Sequence, residues 1–114
     1  MRDEDRIRIG HMIEAAEDAL GFVAGRTRAD LATDRMLLFA LVRAVEIIGE
    51  AASKVSDETR SAHAGIPWKA VIGMRNRLVH AYFDIDAAIL WVAATVEIPA
   101  LLDQLQRVEP DRSD

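Results

Sequence analysis

The sequence predicts an all-α protein, an up-and-down bundle of four long helices with a short fifth, and three observations carry that reading. Apolar residues recur at alternating steps of three and four through most of the chain, the signature of helices with one buried face. No segment alternates apolar and polar residues with the period of two that a half-buried strand requires. Gly25, Gly65 and Pro67 fall between the periodic stretches, where chain breaks belong.

Taken in order, Ile9, Ile13, Ala16, Leu20 and Val23 form the first stripe, and Gly25 offers its stop. Thr33 is placed to cap the second helix, in which Leu38, Leu41, Val45, Ile48, Ala52 and Val55 keep a heptad-like spacing. Gly49 interrupts that helix where alanine would be better by ~1 kcal/mol, which points to a close approach by another backbone. Glu50 either pairs with Lys54 one turn on or turns its carboxylate toward a site. Asp57 starts a short helix that Gly65 ends, and Pro67 restarts one, because proline is tolerated where a first helical N–H has no partner. The fourth long helix runs from there into the stretch around Arg75, with Trp68, Ile72 and Val79 as core. Asp84 and Asp86 are both candidate caps for the last helix, where Ile85, Ile89, Val92, Val96 and Leu102 repeat and Pro99 should bend the axis. Residues 109–114, with Pro110 and a polar end, read as a frayed tail on one domain spanning 1–114.

Composition narrows the function. A chain of 114 residues has room for one core and no second domain. The longest apolar run, Ala87 to Val96, is far below the ~20 residues of a membrane helix, and the charged start Met1 to Arg6 lacks the apolar stretch of an export signal. With no cysteine there are no disulfides or thiolate metal sites, so the reading is a soluble cytoplasmic protein with no membrane partner. The net charge of −5 argues against broad electrostatic binding of nucleic acid, so any RNA contact must be local. Lys69, Arg75 and Arg77 supply such a local positive segment, although the preference for arginine over lysine also fits a coding bias.

The stretch Arg75-Asn76-Arg77-Leu78-Val79-His80-Ala81-Tyr82 brings a guanidinium, an imidazole and a phenol into a short span of otherwise apolar sequence. Arginine's planar fork matches phosphate oxygens, and histidine exchanges protons near neutral pH. If the helix continued, Arg75 and His80 would sit about 140° apart while Asn76 and His80 shared a face, and Tyr82 would return to within about 20° of Arg75. Taken singly, His80 is an ordinary hydrogen-bonded histidine at a helix end, Arg75 an ion-pair partner and Tyr82 a packing residue. No other constellation competes: His11, His63 and His80 lie in separate segments without metal-ligand spacing, and Gly49 to Lys54 lacks the second glycine of a phosphate loop.

The spacing Arg75, His80, Tyr82 resembles the Arg-x4-His-x-Tyr motif of the HepT-like toxins of the HEPN family. The runs Glu46 to Ala52 and Ile66 to Asn76 resemble the same family in the same order, so the likeness covers most of the chain. The resemblance implies a homodimeric endoribonuclease of a toxin–antitoxin pair, partnered by a minimal nucleotidyltransferase of the MntA kind, and the lack of metal-ligand spacing makes a metal-independent reaction without cofactor the expectation. It implies catalytic roles for Arg75, His80 and Asn76 and AMPylation of Tyr82 by the antitoxin, while their local positive charge makes Lys69 and Arg77 the expected RNA contacts. The splay of Arg75 from His80 then leads to an expectation of a composite cleft across a dimer axis. The competing reading is a non-catalytic helical module that docks a nucleotidyltransferase or its nucleotide.

Overall fold

The computed structural model describes residues 1–81 and 84–108, so Tyr82 and the expected frayed tail at 109–114 lie outside the described residues. The described chain is almost entirely helical: α1 Asp3–Val23, α2 Asp30–Thr33, α3 Arg35–Ser53, α4 Asp57–Ala62, α5 Trp68–Ile72, α6 Met74–Leu78, then α7 Ala87–Val92, a π-helical turn Ala93–Glu97 and α8 Ile98–Val108. The last three follow one another without interruption, making a third long helix beside α1 and α3. The all-α prediction stands, with one departure. Val79–Ala81 (β1) and Asp84–Ile85 (β2) pair as a small antiparallel hairpin just where the last helix was expected to be approached through a turn.

Helix α1 packs along both α3 and α8, and these three enclose one core. Met12, Ile13 and Ala16 of α1, Leu41, Val45 and Ile48 of α3, and Leu90, Ala94, Ile98 and Leu105 of the last helix are all essentially inaccessible to solvent. In the last helix the buried register differs from the predicted one, since Val92 and Val96 are 50% and 61% exposed. That helix is apolar on nearly all sides, and the side chosen carries Ala93 and Ala94, small enough to bring its backbone close to α1. The residues 87–108 are also long and apolar enough, by composition, to cross a membrane, yet here one face is committed to the bundle core. The disturbance expected from Pro99 takes the form of the π-helical turn just ahead of it, where the N–H of Ile98 reaches back to the carbonyl of Ala93.

Helix ends follow side-chain chemistry. Gly25 ends the α1 turn with φ at 72°, a conformation glycine adopts without steric cost. Asp34, rather than Thr33, caps α3 by accepting from the N–H of Leu37 at 3.1 Å. Asp86, not Asp84, caps α7 through the N–H of Ile89 at 3.0 Å, while Asp84 belongs to β2. Ser56 caps α4 and is itself held by Asp5, the one buried charged side chain among the described residues. The Asp5 carboxylate accepts from the Ser56 N–H at 2.9 Å, the Ser56 hydroxyl at 2.6 Å and the Thr59 hydroxyl at 2.7 Å, tying the start of α1 to the start of α4. Burial pushes the pKa of Asp5 up, but those three hydrogen bonds and nearby Arg2 overcome it and bring the value from 3.8 down to about 2.

The fourth long helix of the prediction is built as two short ones, α5 and α6, divided at Gly73. The division coincides with the contact that Gly49 makes possible. A Cβ added at Gly49 would lie 3.3 Å from the carbonyl oxygen of Ile72 and 3.4 Å from that of Val71, so the end of α5 rests directly on the backbone of α3. This is the close approach inferred from the sequence, and it decides where Arg75 begins.

Candidate active site

Arg43, Glu46, Glu50 and Ser53 recur at three- and four-residue steps and line the outward face of the second half of α3, with buried Gly49 at its edge. Opposite them stand Ile72, Arg75 and Asn76 from the α5–α6 break, and the two walls enclose an open cleft of about 310 Å³. Arg75 spans it: its Nε donates to Oε2 of Glu46 at 3.2 Å. Both partners are substantially solvated, so the pair adds no more than about 1 kcal/mol to stability. Its value is directional. With Nε held, the two terminal nitrogens of the guanidinium have no partner among the described residues and stay available to a phosphate. Glu50 faces the cleft and forms no ion pair with Lys54 among the described residues, so the site-facing alternative for this carboxylate is the one realised.

Beyond Leu78 the chain leaves the helix, because Val79 takes up an extended conformation with φ −110° and ψ 103°. His80 therefore sits on β1 instead of one helical turn above Asn76, and the shared face expected for Asn76 and His80 does not form. The imidazole is exposed, with Nε2 3.7 Å from Oδ2 of Asp86. Asp86 is well fixed: the N–H of Ile89 holds its carboxyl below the usual carboxylate range against an opposing effect of burial, with His80 and the Ala88 N–H adding to the lowering. At 3.7 Å the two groups are close but not hydrogen-bonded, so Asp86 stands beside the imidazole without fixing which ring nitrogen is turned outward. Asn76 stays in the cleft wall with Arg75, whereas His80 is not among the cleft's lining residues.

The other predicted site residues separate. Arg77 points to the far side of α6, where it pairs with Glu97 at 3.3 Å beside an apolar hollow lined by Ala88, Ile89 and Val92. Lys69 is exposed on α5, outside the cleft lining. Tyr82 lies outside the described residues. Among the described residues no three His, Asp or Glu side chains gather as a metal-binding group. Arg43 and Glu46 were not picked out by sequence reasoning. The signal available was their spacing with Glu50 and Ser53 on the polar side of α3, which by itself reads as a solvated face.

A small helical bundle with an arginine cleft, and with a histidine near Asp86 on the strand that follows Arg75 in sequence, defines a candidate for phosphate chemistry, and comparison with known proteins narrows the class. The family described as Ribonuclease HepT-like matches residues 12–108. The chain is 37% identical over 98 residues to a protein named "Putative RNase" in Caldanaerobacter subterraneus, covering 86% of this chain and 88% of that one. It is 32% identical over 97 residues to a "Putative RNase" of Methanocaldococcus jannaschii, covering 85% and 89%. It is 37% identical over 79 residues to the "Probable ribonuclease HepT" of Thermococcus cleftensis, covering 69% and 72%. No solved structure matches. The chain belongs to the HepT-like ribonuclease family.

Proposed function

We propose that this protein is the toxin of a toxin–antitoxin pair, a metal-independent endoribonuclease that works as a homodimer. The observation that carries the reading is Arg75, fixed at Nε by Glu46 with its terminal nitrogens open in a cleft, on a chain of this family. RNA supplies its own nucleophile, the 2′-hydroxyl, which attacks the adjacent phosphorus as the bond to the 5′-oxygen breaks. The products are a 2′,3′-cyclic phosphate and a 5′-hydroxyl. His80 moves a proton, either from the 2′-hydroxyl or to the departing oxygen, a role worth about 10²–10⁴ in rate. Arg75 neutralises the charge that builds on the phosphorane, which is typically worth about 3 kcal/mol. Asn76 orients the substrate beside Arg75, Asp86 closes the 3.7 Å to His80 and orients it when substrate binds, and Lys69 offers a further phosphate contact. Because His80 stands apart from the cleft wall of its own chain, the reading pairs Arg75 of one protomer with His80 of the other across a two-fold axis. A minimal nucleotidyltransferase neutralises the toxin by AMPylation of Tyr82, whose added phosphate competes for Arg75.

The test uses mixed dimers. Arg75→Ala and His80→Ala should each abolish cleavage of single-stranded RNA in the presence of a chelator. A heterodimer of one Arg75→Ala chain and one His80→Ala chain should recover about half the wild-type rate, because one site keeps both groups. An inactive heterodimer rules out the shared site, and cleavage that depends wholly on added Mg²⁺ rules out the metal-independent mechanism.

A further inference from the structure

The cleft face of α3 does not stop at Arg43. Met36, Phe39, Arg43, Glu46 and Glu50 recur at three- and four-residue steps, so they share one side of the helix within an arc of about 100°. Phe39 lies one helical turn before Arg43, about 6 Å along the axis from a residue that lines the cleft. Its surroundings are unusual for a soluble bundle. Met36 is 84% exposed and Phe39 47% exposed, although both are large and apolar. The guanidinium of Arg35 sits over the Phe39 ring at 5.1 Å from its centroid. Neither Arg35 nor Arg43 makes an ion pair among the described residues, in a chain whose net charge is −5.

We infer that Arg35, Phe39 and Arg43 form a single-stranded RNA subsite that extends the cleft, with a nucleotide base stacked on Phe39 and a neighbouring phosphate on Arg43. The inference rests on the ribonuclease reading and goes beyond it by naming where the substrate is held away from the bond that breaks. Every base has a π face, so an exposed aromatic beside free guanidinium groups binds unpaired RNA without strict sequence preference. Charge distinguishes RNA from a protein partner here. Glu46 is already engaged by Arg75, whereas the two arginines flanking Phe39 have no carboxylate, the pattern that attracts phosphate. The local character of the patch also answers the acidic overall charge, which excludes a broad electrostatic surface. Continuity with the cleft supplies the register: a strand laid along α3 would pass Phe39, then Arg43, then the open end of Arg75.

Binding separates this subsite from catalysis. In a His80→Ala background, anisotropy of a short fluorescein-labelled single-stranded RNA should show Phe39→Ala binding roughly 10-fold more weakly, and Phe39→Trp should restore the affinity. Arg43→Ala should reduce the slope of log affinity against log salt by about 0.7, the signature of one lost phosphate contact on a single strand. Both side chains are exposed, so circular dichroism should remain that of the parent. Unchanged affinity in both variants, while the wild type still cleaves RNA, overturns the subsite alone. Failure of the wild type to bind or cleave any RNA overturns the ribonuclease reading with it. Conversion of a dimer to a monomer by Phe39→Ala in sedimentation would make this face a subunit interface and also overturns the subsite.

Discussion

Asp5→Asn isolates the contribution of the buried carboxylate that joins α1 to α4. In the folded chain burial opposes the charge, while two hydroxyl donors, one N–H and nearby Arg2 favour it, and the balance lowers the pKa from 3.8 to about 2. A lowered folded-state pKa means that stability is present above the unfolded value and is lost as pH falls through the folded one. The gain is therefore complete above about pH 4, where it amounts to about 2 kcal/mol, and gone below about pH 2. Asparagine keeps an acceptor but loses the charge, so the variant should be weaker by about that amount at neutral pH. A chain of 114 residues unfolds with an entropy near 0.24 kcal/mol per kelvin, so the melting temperature should drop by about 8 °C. Differential scanning calorimetry on wild type and variant from pH 7 to pH 2 is the assay. The difference between the two proteins should shrink steadily below pH 4, because the wild type then loses the same charge. A melting temperature within about 2 °C of wild type at pH 7, or a difference that persists undiminished at pH 2, would refute the assignment of this stability to the Asp5 hydrogen bonds.

Glu46→Ala should leave stability within about 1 kcal/mol of wild type, since the pair with Arg75 is solvated. It should nonetheless lower the cleavage rate roughly 10- to 100-fold with little effect on KM, because Arg75 loses its orientation; an unchanged kcat in steady-state assays shows that Arg75 needs no such support. Gly49→Val places a branched side chain where a single Cβ already meets backbone oxygens of Ile72 and Val71. It should cost about 1–3 kcal/mol by denaturant titration and reduce cleavage by shifting α5 away from α3, and a variant as stable and active as wild type shows that the two backbones need not touch. Tyr82→Phe should fold and cleave yet resist neutralisation by the nucleotidyltransferase and ATP. Intact-mass spectrometry that finds adenylate still added to this variant places the modification elsewhere.

What the sequence determined by itself was mostly local. Helical periodicity in α1, α3 and the last helix, the stop at Gly25 and a cap at either Asp84 or Asp86 are written in nearest-neighbour chemistry, which operates along the chain before any packing, and folding chose Asp86. Gly49 was legible for the same reason, since a glycine within a strong helix asks for a neighbouring backbone. The run from Arg75 to Tyr82 was legible as chemistry through its resemblance to a family motif. Its geometry was not, because helical extrapolation assumed that residues 75–82 continue one axis, and the chain turns into a strand after Leu78. Apolar content at Val79 and Ile85 suits a helix or a strand equally, and the pairing between them is a contact that only the folded chain makes. The last helix posed the same problem, with apolar residues on most sides and two possible buried faces. Tertiary packing chose the face with Ala93 and Ala94, because close approach to α1 favours small residues over the exposed valines. The partnership of Arg75 with Glu46, and with it the cleft against Arg43, spans 29 positions in sequence. It depends on where the end of α5 comes to rest on Gly49, a distance between two backbones that no spacing along one of them encodes.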